Sequence, residues 1–175
     1  MKIFIILPNF DFSGPTKGAA ALSNFICKYY PTYVFLIKSL DKSLNTEFDR
    51  SIHLYNLGKY KFFDKLKIVS DLTKKYKKEK IIILSMCFSA DVFSLFLSQK
   101  IFKISSVRGN LLKNYFYTYG ISGYFLAFLH LIIQNLFNLT LVMNRSMYKQ
   151  VRFFSYSNIY TINNFIEEKK LSPYF

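Results

Sequence analysis

Residues 2–8, Lys-Ile-Phe-Ile-Ile-Leu-Pro, form a continuous apolar run that breaks into a loop holding Gly14, Pro15, Lys17 and Gly18. A strand that is apolar on both faces must be covered on both faces, as the central strand of a parallel sheet is by its flanking helices. Leu22, Phe25, Ile26 and Tyr29 then recur at helical spacing, so the loop is predicted to join this strand to a helix. A turn that follows such a strand lies at the carboxyl edge of the sheet, where open α/β sheets bind ligands. Gly14 and Gly18 let a ligand approach the backbone, Pro15 suits a first helical turn, and free N–H groups at the helix start attract anions. Lys17 adds a positive charge there. The loop is therefore a candidate phosphate- or sugar-binding element, although a plain Gly-Pro turn would use the same residues. It matches neither the Gly-x-x-x-x-Gly-Lys-Ser/Thr pattern nor Gly-x-Gly-x-x-Gly, so neither a nucleotide triphosphatase nor an ordinary dinucleotide enzyme is supported.

The same alternation continues along the chain. Thr32–Ile37 and the weaker Ser51–Tyr55 read as strands. Phe62, Phe63, Leu66, Val69, Leu72 and Tyr76 mark an amphipathic helix whose other face carries Lys65, Lys67, Lys74, Lys75, Lys77 and Lys78. Such a face is either solvated or turned toward an anionic membrane surface. Ile81–Ser85 is a buried strand, and Ser89 is predicted to cap a helix bearing Val92, Phe93, Phe96 and Leu97. Lys103–Val107 is the next strand, followed by an aromatic, irregular stretch from Leu111 to Gly123 and a helix from about Tyr124 to Phe137. Strand Leu139–Met143, a short helix from Ser146 and strand Asn158–Ile162 complete the pattern, which predicts a Rossmann-like, doubly wound parallel sheet. A chain of 175 residues suffices for one such domain and is short for two.

Carboxylate and metal chemistry are poorly supplied. Of the ten acidic residues, none forms an Asp-x-Asp, and His53 and His130 lack a second ligand at helix or hairpin spacing, so no metal site is expected. No Gly-x-Ser-x-Gly elbow is present. Cys27 and Cys87 have no metal spacing and suggest buried thiols in a reducing cytosol. Arg108 stands at the carboxyl end of a predicted central strand beside Gly109, where its guanidinium would hold a phosphate or merely face solvent. With that strand near the sheet centre, Arg108 is expected to share one crevice with the Gly14 loop. His130 lies one turn from Gln134 on an apolar helix, the pattern of a hydrogen-bonded core histidine. The net charge of +14 implies an anionic surface. Without an interleaved aromatic RNA-binding motif or helix-turn-helix, nucleic acid is the less supported partner.

Three segments resemble glycosyltransferase family 4, retaining enzymes of the two-domain GT-B fold. Met1–Tyr30 is similar to that family's opening strand, Gly-Pro loop and helix. Ser106-Val107-Arg108-Gly109-Asn110, with Tyr115, Tyr119-Gly120 and His130, resembles members with an Arg-Asn turn followed by Tyr-Gly. Leu141–Met147 and Ile162–Glu168 resemble the valine-serine-x-serine-methionine and asparagine-asparagine-phenylalanine-isoleucine-aspartate motifs, the second marking passage into the family's donor-binding domain. Arg108 stands where many relatives carry histidine, and Asn144 where the first serine usually sits.

The resemblance implies that residues 1–175 form the N-terminal, acceptor-side half, with the donor-binding domain and its Glu-x₇-Glu pattern absent. The expected activity is transfer of a sugar from a nucleotide-sugar to a glycan or lipid-linked acceptor, completed by a C-terminal domain or partner subunit and inactive without it. Gly14, Pro15, Lys17, Arg108 and Asn110 are the implied substrate- or phosphate-binding residues, with Tyr119 and His130 as further candidates. No divalent metal or other cofactor is expected, and the donor would bind mainly to the other domain. The expected location is cytoplasmic, peripheral to the membrane through Lys65, Lys74, Lys75, Lys77 and Lys78. The alternatives are a non-enzymatic scaffold that holds a catalytic partner at the membrane, or a basic nucleic-acid-binding α/β domain.

Overall fold

A computed structural model describes residues 1–10, 14–38 and 47–162. These described residues group into two compact units, one within residues 1–81 and one within residues 82–162.

In the first unit, β1 (Lys2–Leu7), β2 (Thr32–Leu36) and β3 (His53–Asn56) pair in parallel in the order β3-β2-β1. The apolar runs are buried as their two-sided hydrophobicity requires: Phe4, Ile5, Ile6, Val34, Phe35 and Leu36 are all 0% exposed. Phe4 packs its ring against Tyr33 and Phe35. Helix α1 (Gly14–Ile26) connects β1 to β2 and buries Ala19, Ala20, Leu22 and Ser23. Phe25 and Tyr29, expected on its buried face, are exposed and pack against each other instead, because the small residues of α1 form its closest-packed side. Helix α2 (Phe62–Lys75) follows β3 and buries Val69 and Thr73, while Phe62 and Phe63 at its open end are exposed, contrary to the predicted stripe.

In the second unit, β4 (Ile81–Met86), β5 (Phe102–Val107), β6 (Leu139–Val142) and β7 (Ile159–Thr161) pair in parallel in that order. Helix α3 (Phe88–Leu95) connects β4 to β5, α4 (Leu111–Tyr119) and α5 (Ser122–Ile133) connect β5 to β6, and α6 (Arg145–Phe154) connects β6 to β7. The stretch expected to be irregular is therefore largely helix α4. Asn110 starts it by accepting the Lys113 N–H at 3.0 Å, and Gly120, with φ 62°, ends it. Helix α3 begins at Cys87 rather than Ser89, because the chain turns immediately after β4, and Ser89 falls inside the first turn. Val107, Leu111, Ala127, Leu131, Val142 and Val151 form one apolar core beneath α4, α5 and α6. Seven parallel strands with helical crossovers give the expected Rossmann-like α/β class.

Candidate functional site

The second unit carries a row of buried hydroxyls across its sheet. Ser85 of β4 is the register partner of Ser105 of β5, which in turn pairs with Thr140 of β6, and all three are 0% exposed. Buried hydroxyls need partners, and α3 and α5 supply them. The Asp91 carboxylate on α3 accepts from Ser85 Oγ at 2.6 Å, Ser105 Oγ at 2.7 Å and Gln134 Nε2 at 3.3 Å. His130 Nε2 on α5 lies 2.9 Å from Asp91 Oδ2. Gln134 Oε1 closes the row by accepting from Thr140 Oγ1 at 3.3 Å.

The network leads outward through His130. Its Nδ1 lies 3.1 Å from the Tyr115 hydroxyl on α4, and Phe88 packs edge-on against both rings. Because a carboxylate only accepts, Nε2 donates toward Asp91, and in the tautomer with its hydrogen on Nε2 the ring accepts from the phenol at Nδ1. Burial, with smaller electrostatic contributions from Cys87, Asp91 and Tyr119, pushes the Tyr115 phenol well above its usual range, so it keeps its proton. Asp91, His130 and Tyr115 thus form a relay from the 0% exposed carboxylate to a half-buried phenol, which stacks on exposed Tyr119. His130 is a hydrogen-bonded core histidine, as its spacing predicts.

Beside this relay, the turn from β4 to α3 places Cys87 at φ 74° and ψ 155°, a region that glycine alone adopts freely. Cys87 is half-buried rather than a core thiol, and neither cysteine is in a disulfide. Burial lowers the proton affinity of the Arg108 guanidinium, and the electrostatic effect of nearby Cys87 opposes that shift. Arg108 Nε donates to Ser106 Oγ at 3.3 Å. A strained backbone relieved by glycine gains about 1 to 3 kcal/mol, offset by about 0.5 to 1 kcal/mol of extra chain entropy. Cys87→Gly is therefore expected to leave stability to urea unchanged or raise it, whereas Cys87→Val should lower it. A loss of more than about 1 kcal/mol for the glycine variant would contradict the assigned strain.

The other expected site residues fall as follows. Gly14 and Pro15 open α1 at the carboxyl end of β1, and Lys17 is exposed in its first turn. Asn110 is an N-cap: its Oδ1 also accepts from Gln150 Nε2 at 2.8 Å, while Gln150 Oε1 accepts the Leu111 N–H. Lys65 departs from the expected lysine face, since its ammonium is tied to the Ile37 carbonyl at 2.6 Å. Lys74, Lys75, Lys77 and Lys78 are exposed, with Lys74 3.2 Å from Asp71. Asn163–Glu168 of the second motif and Asp11–Ser13 lie outside the described residues. Among the described residues, no group of three or more His, Cys, Asp or Glu side chains is placed to hold a metal ion.

Sequence reasoning missed Asp91, Ser85, Ser105, Thr140 and Gln134 as a unit. Their signal was single polar residues set within apolar strands, Ile-Leu-Ser-Met, Lys-Ile-Ser-Ser-Val and Leu-Thr-Leu, together with His130 and Gln134 four apart on an apolar helix.

Parallel strands joined by helical crossovers, with candidate ligand-binding residues following β1 and β5, are the α/β arrangement whose ligand sites lie at the carboxyl ends of the strands. No protein-family model matches the chain, and no curated protein matches it in sequence. Solved structures match in fold. A UDP-glucosyltransferase from Polygonum tinctorium capable of glucosylating indoxyl, in complex with 3,4-dichloroaniline, aligns at TM-score 0.64 and 10% identity over 95% of this chain and 52% of that one. Apo UGT2 of Phytolacca americana aligns at TM-score 0.64 and 8% identity over 99% of this chain and 54% of that one. The same protein complexed with UDP-2-fluoro-glucose and pterostilbene gives TM-score 0.66 and 8% identity over 99% and 57%. The chain spans about half the length of these structures. It has the fold of half a GT-B glycosyltransferase.

Proposed function

We propose that this chain is the acceptor-side half of a retaining glycosyltransferase, similar to family 4, that transfers a sugar from a nucleotide-sugar to a glycan or lipid-linked acceptor. The observation that carries the reading is the fold match to UDP-glucosyltransferases over nearly all of this chain and about half of theirs. The donor nucleotide is held by a second half, on the same or a separate polypeptide, and closure of the two halves completes the site. The Gly14–Lys17 helix start and Arg108 are the phosphate- or sugar-phosphate-binding elements, each at the carboxyl end of its strand. The Asp91–His130–Tyr115 relay ties α3, α4 and α5 together.

The test uses radiolabelled nucleotide-sugars, UDP-glucose first, with the purified 175-residue chain alone and with a donor-binding half added. The expected result is no transfer by the chain alone and transfer to a lipid-linked acceptor by the pair. Turnover by the chain alone would overturn the half-enzyme reading, and no transfer by any pairing would favour the scaffold. In the active pair, Lys17→Ala and Arg108→Ala are each expected to weaken binding of a phosphorylated acceptor by about 1 to 3 kcal/mol, the range for a lost hydrogen bond to a charged group. Unchanged affinity for both variants would remove these residues from the site.

A further inference from the structure

Helix α5 is apolar on both sides. Its inward side, Gly123, Ala127, His130 and Leu131, is buried, yet its outward side carries Tyr124, Phe125, Phe128, Leu129 and Ile132, between 38% and 70% exposed. These five positions fall at successive one- and three-residue steps, so that residues four apart pair along one face. The patch continues onto both neighbours: Phe116 of α4 packs on Tyr124 with ring centroids 5.1 Å apart, and Phe154 of α6 packs on Phe128 at 5.5 Å. Phe153, next in that chain of rings at 4.9 Å, is 82% exposed. A contiguous apolar surface over three helices is unusual for a face in water and marks an interaction site.

The charge around it identifies the partner. Asp91 is the single acidic residue between Ile82 and Asn163, and it is 0% exposed, so this stretch shows no negative side chain at its surface. Lys113 on α4 and Arg145, Lys149 and Arg152 on α6 are all exposed. Lys113 stands one turn before Phe116, and Lys149 one turn before Phe153. Aromatic and aliphatic side chains rimmed by cations alone match an anionic lipid interface, where the rings enter the headgroup–acyl boundary and the cations meet phosphate. Among the described residues, no helix is long and apolar enough to cross a membrane. The 12-residue α5 spans ~18 Å against a hydrocarbon core of ~30 Å, so it lies along the surface.

We propose that the outward face of α5, flanked by α4 and α6, is a membrane-docking surface that inserts its aromatic side chains into anionic lipid. This surface is separate from the Lys74–Lys78 face of the first unit and does not depend on the sugar-transfer reading.

The chain contains no tryptophan, so Phe125→Trp places one reporter at an exposed point of the patch. With vesicles of phosphatidylcholine mixed with phosphatidylglycerol, its emission is expected to shift to the blue and to be quenched by brominated acyl chains, and pure phosphatidylcholine should give little shift. Phe125→Asp combined with Leu129→Asp should cut vesicle binding more than about tenfold with the fold intact by circular dichroism, since two apolar side chains no longer enter lipid. Lys74→Glu with Lys75→Glu and Lys78→Glu should leave the emission shift in place. Three results would overturn the proposal. One is flotation of the Phe125→Trp chain with its indole still emitting as in water. Another is an equal shift on neutral vesicles. The third is a blue shift that grows with protein concentration without lipid and tracks dimer formation in sedimentation, which would make a second copy the occupant.

Discussion

Asp91→Ala is expected to destabilise the protein by about 3 kcal/mol or more, because it leaves several buried donors without an acceptor. The carboxylate is 0% exposed and gathers Ser85, Ser105, Gln134 and His130. Its loss leaves those donors facing a small cavity with no acceptor, and each buried unpaired group costs about 1 to 3 kcal/mol. The size of the effect comes from the orphans and not from the strength of any one bond. Asp91→Ala combined with His130→Ala should therefore cost less than the sum of the two single changes, because each removal spares part of the other's penalty. Urea denaturation of the four proteins measures the cycle. A loss below about 1 kcal/mol for Asp91→Ala, or strict additivity, would show that the network does not act as a unit.

Gly123→Ala is expected to cost up to about 2 kcal/mol, and Gly123→Val more. Helices α4 and α5 cross at this glycine so closely that an added Cβ would sit 2.9 Å from the Phe116 backbone nitrogen and closer still to the Tyr115 carbonyl group. These are backbone atoms and cannot rotate away, so the helices would have to separate. Overpacking of this kind costs about 1 to 3 kcal/mol, against which the better helix propensity of alanine returns about 1 kcal/mol. Separation at Tyr115 would also lengthen its 3.1 Å approach to His130 Nδ1. The Tyr115 ultraviolet signature and the His130 NMR shifts should thus change together with the loss in stability. An alanine variant as stable as the parent would mean that α4 can shift without cost.

Periodicity carried the fold. The apolar runs at β1, β2 and β4 and the stripe of α2 follow from local spacing, because a two-sided apolar strand and a one-sided apolar helix each have one environment that satisfies them. The same reasoning failed at Leu111–Gly123, where aromatic crowding hid a helix set by its cap at Asn110 and its stop at Gly120. It also failed at Phe25, Tyr29, Phe62 and Phe63, which have helical spacing yet are 41% to 79% exposed.

The site was less legible than the fold. Gly14, Lys17 and Arg108 were placed at the carboxyl ends of their strands from sequence alone, because that position is one that residue pattern can assign. Asp91 was not found, because its partners come from β4, β5 and α5, up to 43 residues apart. Sequence by itself determined the order of parallel strands and helices and the excess of positive charge, since both depend on residue type and spacing alone. Only the tertiary structure decided that Ser85, Ser105 and Thr140 form a buried row, that Asp91 and His130 satisfy it, and that α5 leaves an apolar face uncovered. Those outcomes depend on which strand lies beside which and on which helix face finds a partner, and chain neighbours do not encode such distances.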